Sequence, residues 1–313
     1  MSLVDDALAG NVRALARLAT HIENNDELAI HALERLYPLT GRARTVGVTG
    51  PPGAGKSTFV NALVRAIRAS GETCAVVAVD PSSPLSGGAT LGDRIRMLEH
   101  HGDRGVFVRS TASRGCSGGL APATAGLIHL FDAVGYDVVI VETVGIGQEE
   151  VDIVELAETV VLIQTPGFGD AVQSLKAGVL EIANIFVVNR ADLPGAHAVA
   201  KELKAMITLG PSDPGWVPPV LTVVSTTGEG VDAVAHSIRE HADWLRTSGK
   251  YSEWRTVFAT RELSRQLHRL LVLRLLSSAA SENAGTVVAD VAERRLSPQQ
   301  GAAKLLATLS IED

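Results

Sequence analysis

Hydrophobic positions in the first forty residues repeat with a helical period. Leu8, Val12, Leu15, Leu18 and Ile22 fall three or four apart, and Leu28, Ala32, Leu33 and Leu36 resume the stripe beyond a polar break at 24–26. Pro38 and Gly41 then punctuate the chain, and the period changes. Short runs rich in β-branched residues follow at 45–49, 75–80, 106–109, 138–142, 160–164, 185–189 and 220–224, separated by stretches long enough for helices. Runs that are apolar at every position belong to strands buried on both faces. Alternating with helices, they predict an α/β fold with a mostly parallel sheet covered by helices on both faces. Pro and Gly mark a loop at 211–219. Beyond residue 250 no strand run is read until 286–288; Leu263, Leu267, Leu270, Leu271, Leu273, Leu275 and Leu276 form a Leu-rich helical stretch, and two shorter helical segments follow. The expected organisation is an N-terminal helical extension at 1–42, an α/β domain at 43–248 and a C-terminal helical region at 249–313.

Composition narrows the function classes. In 313 residues, 28 Lys plus Arg stand against 35 Asp plus Glu, giving a net charge of −7. Such a chain lacks the basic footprint that grips a phosphate backbone, so no nucleic-acid partner is expected. A hydrophobic fraction of 46% supplies a sizeable aliphatic core. Cys74 and Cys116 lack C-x-x-C spacing and exclude a disulfide scaffold. No apolar run approaches the roughly 20 residues of a membrane span, and the first residues carry Asp5 and Asp6 in place of an apolar leader. A cytoplasmic protein with no membrane partner is expected.

The strongest motif is Gly50-Pro51-Pro52-Gly53-Ala54-Gly55-Lys56-Ser57, a match to G-x-x-x-x-G-K-[ST]. Its context is the one the chemistry requires, with an apolar strand at 45–49 before it and helical character at 58–69 after it. Glycines let successive amides point at a β-phosphate, and the helix N-terminus adds favourable partial charge. Lys56 is expected to reach the β- and γ-phosphates, and the Ser57 hydroxyl to ligate Mg²⁺. The chain is read as a P-loop nucleoside triphosphatase.

Asn189-Arg190-Ala191-Asp192 closes the sixth run, where an N-K-x-D tetrad reads guanine. A carboxylate at Asp192 accepts from the N1–H and 2-amino groups of guanine, donors that adenine does not offer at that edge. Arg190 replaces the usual Lys; its stem can still cover the base, with a head of different shape. Ser225-Thr226-Thr227-Gly228-Glu229-Gly230 follows the last run, where backbone amides cap the guanine carbonyl; Thr226 departs from the common S-A-x form. Glu142-Thr143-Val144-Gly145 resembles the D-x-x-G switch, with Glu in place of Asp. Asp80 ends the second run, and Asp93 follows in Leu91-Gly92-Asp93-Arg94. Acids at the C-terminal edge of a parallel sheet face the ligand crevice and serve a metal there. Ile146 occupies the position that holds a water-orienting Gln in D-x-x-G-Q proteins, so slow intrinsic turnover stimulated by a partner is expected. Arg109 and Arg114 are candidate sources of positive charge for the transition state.

These motifs occur in one order: the loop at 46–57, Val79-Asp80-Pro81-Ser82-Ser83, Leu91-Gly92-Asp93-Arg94, Val141-Glu142-Thr143-Val144-Gly145 and Asn189-Arg190-Ala191-Asp192. In that order the chain resembles the MeaB/ArgK family, GTPases associated with methylmalonyl-CoA mutase. The resemblance implies a G domain of the SIMIBI class, a C-terminal region that mediates homodimerisation, and a chaperone role. In that role, GTP binding and hydrolysis gate cofactor loading of an adenosylcobalamin-dependent acyl-CoA mutase and protect it. Position by position it implies that Gly50, Pro51, Pro52, Gly53, Ala54, Gly55, Lys56, Ser57 and Thr58 hold GTP or GDP. Asn189 and Asp192 read the base, with Ser225, Thr226 and Thr227 beside it. Asp80, Asp93 and Glu142 join Ser57 around Mg²⁺, and Lys56, Asp93 and Glu142 are the expected catalytic residues. The stretch from Gln164 to Lys176 resembles a further switch segment that contacts the mutase. A small-molecule kinase and a nucleotide-gated dimeric scaffold ATPase use the same phosphate loop and are the competing classes.

Overall fold

The computed structural model describes residues 2–80, 100, 102–112, 122–143, 153–167, 183–209, 215–276 and 278–307. The chain divides into two compact units, 1–254 and 255–313.

The first unit opens with three helices, α1 (Leu3–Leu8), α2 (Val12–Asn24) and α3 (Glu27–Leu36). Each begins at a side-chain cap: Ser2 accepts from the Asp5 amide, Asn11 from Arg13 and Ala14, and Asp26 from Ala29. The polar break at 24–26 is the turn between α2 and α3, where Asn25 adopts a left-handed conformation at φ 51°. Leu15, Leu18, Ile22, Ala32 and Leu36 are buried, as their spacing predicts. The chain is then pinned by Asp132, whose buried carboxylate accepts the amides of Gly41, Arg42 and Ala43 at 2.6, 3.1 and 2.9 Å.

Seven strands follow among the described residues: β1 (Arg44–Thr49), β2 (Cys74–Asp80), β3 (Val106–Ala112), β4 (Val138–Glu142), β5 (Thr159–Gln164), β6 (Ile185–Val188) and β7 (Val220–Thr222). They form one parallel sheet in the order β3-β2-β4-β1-β5-β6-β7. Among the described residues four helices connect or follow them: α4 (Lys56–Ala69), α5 (Pro122–Val134), α6 (Ala196–Leu209) and α7 (Val231–Thr247). Val46, Val48, Val76, Ile140, Val161 and Ile163 pack with Phe59, Leu63, Val234 and Ile238 of α4 and α7 into one core. Leu162, Phe186 and Val188 pack on Ala196, Val199 and Leu203 of α6 on the other side. Alternate residues of β5 thus serve opposite layers, which is why its sequence is apolar throughout. The expected α/β fold with a parallel sheet is the observed one. β1 carries Gly47 because it runs against the short turn Ile153–Glu155: a Cβ there would stand 2.3 Å from Ile153 Cγ1.

Three further helices follow among the described residues: α8 (Lys250–Leu276), α9 (Ser278–Ala292) and α10 (Pro298–Ala307). The strand read at 286–288 is not one; it lies within α9. Val287 is buried there, and Gly301 of α10 approaches so closely that a Cβ would sit 3.2 Å from its Cγ1 and 3.0 Å from that of Val291 (Cγ2). Packing between two helices has overridden the β preference of two adjacent valines. Among the described residues no helix is long and apolar enough to cross a membrane.

Candidate functional site

The phosphate loop leaves the C-terminal end of β1 and enters α4. Two glycines explain its path. Gly50 has φ 145°, and a Cβ on it would stand 2.3 Å from the Ile163 carbonyl oxygen of β5. Gly55 has φ 86° and caps α4 in the left-handed region, with a virtual Cβ 2.6 Å from Asn189 Nδ2. Any other residue at either position would displace backbone or a buried amide. Lys56 and Ser57 start α4 and are both buried. The Lys56 ammonium donates back across the loop to the carbonyls of Gly50 and Pro51, at 2.8 and 3.2 Å. Ala54 is fully buried, Thr58 is half-buried, and Pro52 and Gly53 are exposed.

Parallel register sets the next contact. Val48 of β1 pairs with Glu142 of β4, so the acid ends its strand beside the loop. Ser57 Oγ donates to Glu142 Oε1 at 2.6 Å, and both residues are buried. A hydroxyl and a carboxylate brought together at the mouth of α4 are hard oxygen donors. One residue further along from both Val48 and Glu142, Thr143 Oγ1 donates to Thr49 Oγ1 at 3.1 Å, so the ends of the two strands are also joined by buried hydroxyls. Asp80 is placed only as the last residue of β2, which pairs with β3 and β4. Asp93, Arg114, Cys116 and the segment 168–176 lie outside the described residues. Arg109 is not directed at the loop: its guanidinium is held by Glu23 and by Thr20 of α2, with Nε 2.7 Å from Glu23 Oε1.

The end of β6 supplies the third component. Asn189 is 2% exposed. Its Nδ2 donates to the Ala54 carbonyl at 2.8 Å, and its Oδ1 accepts from the Ser225 amide at 3.2 Å and the Ser225 hydroxyl at 2.7 Å. One amide therefore joins the phosphate loop, the end of β6 and the loop after β7. Arg190, at φ 56°, reaches the Gly53 carbonyl with Nη2 at 3.0 Å. This second strap is not among the expectations from sequence, where Arg190 is only a departure from Lys; the reach of its guanidinium is the available signal. Asp192, Thr226 and Thr227 are exposed on the same rim. Val224 and Glu229 pair across the tight turn that carries Ser225, Thr226 and Thr227. The structure thus brings together Gly50–Ser57, Glu142, Asn189 and Ser225.

The family described as "Methylmalonyl Co-A mutase-associated GTPase MeaB" matches residues 15–281. A protein of Pyrococcus abyssi that carries the provisional name of a GTPase is 44% identical over 307 residues, covering 97% of this chain and 95% of that one. The GTPase ArgK of Escherichia coli is 34% identical, covering 86% of this chain and 84% of its own length. A crystal structure named as an LAO/AO transport system kinase superposes with a TM-score of 0.72 at 26% identity, covering 97% and 95% of the two chains. The protein is a P-loop GTPase, and the chain belongs to the MeaB family.

Proposed function

We propose that this GTPase hydrolyses the β–γ bond of GTP by in-line attack of water, and uses the cycle to chaperone an adenosylcobalamin-dependent acyl-CoA mutase, of which methylmalonyl-CoA mutase is the type. The family match over residues 15–281 is the observation that carries the mutase assignment. The loop amides of 50–57 and the Lys56 ammonium would neutralise charge developing on the phosphates, and Asp192 would accept the guanine N1–H and 2-amino protons. Arg190, tied to Gly53, would lay its stem along the base. The paired oxygens of Ser57 and Glu142 fit a hard divalent ion. Ser57, Glu142, Asp80 and Asp93 would hold Mg²⁺, which when bound supplies charge neutralisation between the β- and γ-phosphates. Lys56, Asp93 and Glu142 form the proposed catalytic set.

The proposed organisation is a helical extension at 1–42, a G domain at 43–248 and a dimerising helical region at 249–313, in a cytoplasmic homodimer. Leu263, Leu267 and Leu270 of α8 are exposed, which supports pairing through that helix. The test is co-purification with the mutase in the presence of GTP, GDP or a non-hydrolysable GTP analogue, coupled to turnover measurements. Nucleotide-dependent capture and faster hydrolysis with saturating mutase are expected. Equal turnover with and without the mutase, and no capture in any nucleotide state, would remove the chaperone role. A purine panel separates the kinase reading, since GTP is expected to bind well above ATP.

A further inference from the structure

At the edge of the sheet opposite the nucleotide loop, an acid is buried with its charge half-matched. Glu158 immediately precedes β5, and its amide donates to Thr45 Oγ1 at 2.9 Å. Its side chain is 1% exposed, and Oε1 faces Arg246 Nη2, near the end of α7, at 3.5 Å, an ion pair without good hydrogen-bond geometry among the described residues. Arg246 is a third exposed and bifunctional. Nη1 donates to the Ala242 carbonyl at 3.0 Å, and the guanidinium carbon stands 4.9 Å above the Tyr251 ring in the first turn of α8. Tyr251 in turn stacks on Trp254 at 5.8 Å between centroids. The contacts run from β5 through Arg246 to the start of the next helix, all within residues 1–254.

Three elements present charge to Glu158. Arg246 of α7 and Arg44 of β1 favour the carboxylate, and Asp132 of α5 opposes it. Arg44 is itself shared with Glu72. Burial outweighs both cations and raises the Glu158 carboxyl to about 7. His241 on α7 does not compete near neutrality, because burial lowers it to about 4 and its Nδ1 contacts Thr159 Oγ1 at 2.8 Å.

We infer that Glu158 and Arg246 form a proton-controlled catch on the turn from α7 to α8. The charged acid holds the guanidinium at β5, which fixes Arg246 against the face of the Tyr251 ring. The neutral acid releases it to solvent, and the first turn of α8 loosens. A catch of this kind separates local from global stability: protonation relieves a buried charge, so the domain as a whole gains while residues 246–254 lose protection.

The experiment is amide hydrogen exchange on the full chain between pH 6 and 8, corrected for intrinsic exchange rates. With a midpoint near 7, Glu158 is roughly nine-tenths charged at pH 8 and one-tenth at pH 6. Protection across 246–254 is expected to fall about tenfold from pH 8 to pH 6 in the natural chain. In Glu158→Gln it is expected to be low at both. Constant protection in the natural chain, or a pH-dependence that persists in Glu158→Gln, overturns the catch. If Glu158→Gln fails to fold, Arg246→Gln serves the same purpose, with low and pH-independent protection expected and a retained pH-dependence refuting the inference.

Discussion

Replacing Asn189 by Ala tests whether the site is held together by the protein itself. The side chain makes three long-range hydrogen bonds, to the Ala54 carbonyl and to the amide and hydroxyl of Ser225. Ala54 is 0% and Ser225 3% exposed, so the groups left behind do not fall into water. At about 1 kcal/mol for each bond, the loss is about 3 kcal/mol, and more where a buried partner stays unpaired. That is roughly a 150-fold drop in the folding constant. Urea unfolding of the nucleotide-free chain, followed by circular dichroism, is the assay; the midpoint is expected to move while the slope stays constant. Ser225→Ala is expected to cost about 1 kcal/mol, and the double variant less than the sum, because both substitutions remove the one bond from the Ser225 hydroxyl to Asn189 Oδ1. If Asn189→Ala unfolds at the unaltered midpoint and loses only GTP affinity, Asn189 is a ligand contact and its bonds to Ala54 and Ser225 do not hold the site together.

Gly50→Ala places a Cβ 2.3 Å from the Ile163 carbonyl at φ 145°, so the loop or the β1–β5 spacing must shift; GTP affinity by calorimetry is expected to fall at least tenfold with the fold retained, and unchanged affinity refutes the close approach. The raised Glu158 carboxyl means that the folded chain binds a proton more tightly than the unfolded one. The contribution of Glu158 to global stability is therefore expected to be lost as pH rises from about 4.5 to about 7, by at most about 3 kcal/mol, while His241, lowered by burial to about 4, contributes with the opposite sign between about 4 and about 6.5. The stability difference between the natural chain and Glu158→Gln, from urea titrations at several pH values, isolates the Glu158 part; it is expected to fall between about pH 4.5 and about pH 7 and to level off above that. Leu267→Glu, on the exposed face of α8, is expected to give monomers by light scattering where the natural chain gives dimers; a natural chain that is already monomeric contradicts the proposed dimer.

Much of this was legible in the sequence because the parallel sheet writes itself plainly. All seven runs became strands, and the order of chain elements needed only β-branched content and the helix-length gaps between them. The phosphate loop was readable because its glycines answer local backbone demands, at φ 145° and 86°. What failed was the run at 286–288, where only Gly301, fourteen positions after Val287 and opposite it, reveals that a second helix is close enough to bury it. What was missed was long-range. That Asn189 would bond both Ala54 and Ser225, or that Arg190 would strap Gly53, depends on two crossovers placing strand ends side by side, which spacing along the chain does not encode. Glu158 was invisible for the same reason: an acid before a strand reads as solvated until Arg246 and Asp132 surround it.

These long-range bonds bear on where control can act. The loop is fixed at three points by groups of the chain, at Gly50 against Ile163, at Ala54 by Asn189 and at Gly53 by Arg190. A cradle held in this way has already lost the freedom that a flexible loop would surrender on binding, so little of the affinity for GTP is spent on ordering it. A partner that merely tightened this cradle would find little to change. Ser57 and Glu142 differ, for their oxygens contact one another and are carried on separate elements, α4 and β4. A small displacement of one strand end against the helix would alter that pair without disturbing the proposed base-reading rim. Control by the proposed mutase partner is therefore expected in turnover, through the β4 end of the site, and not in the affinity for guanine nucleotide.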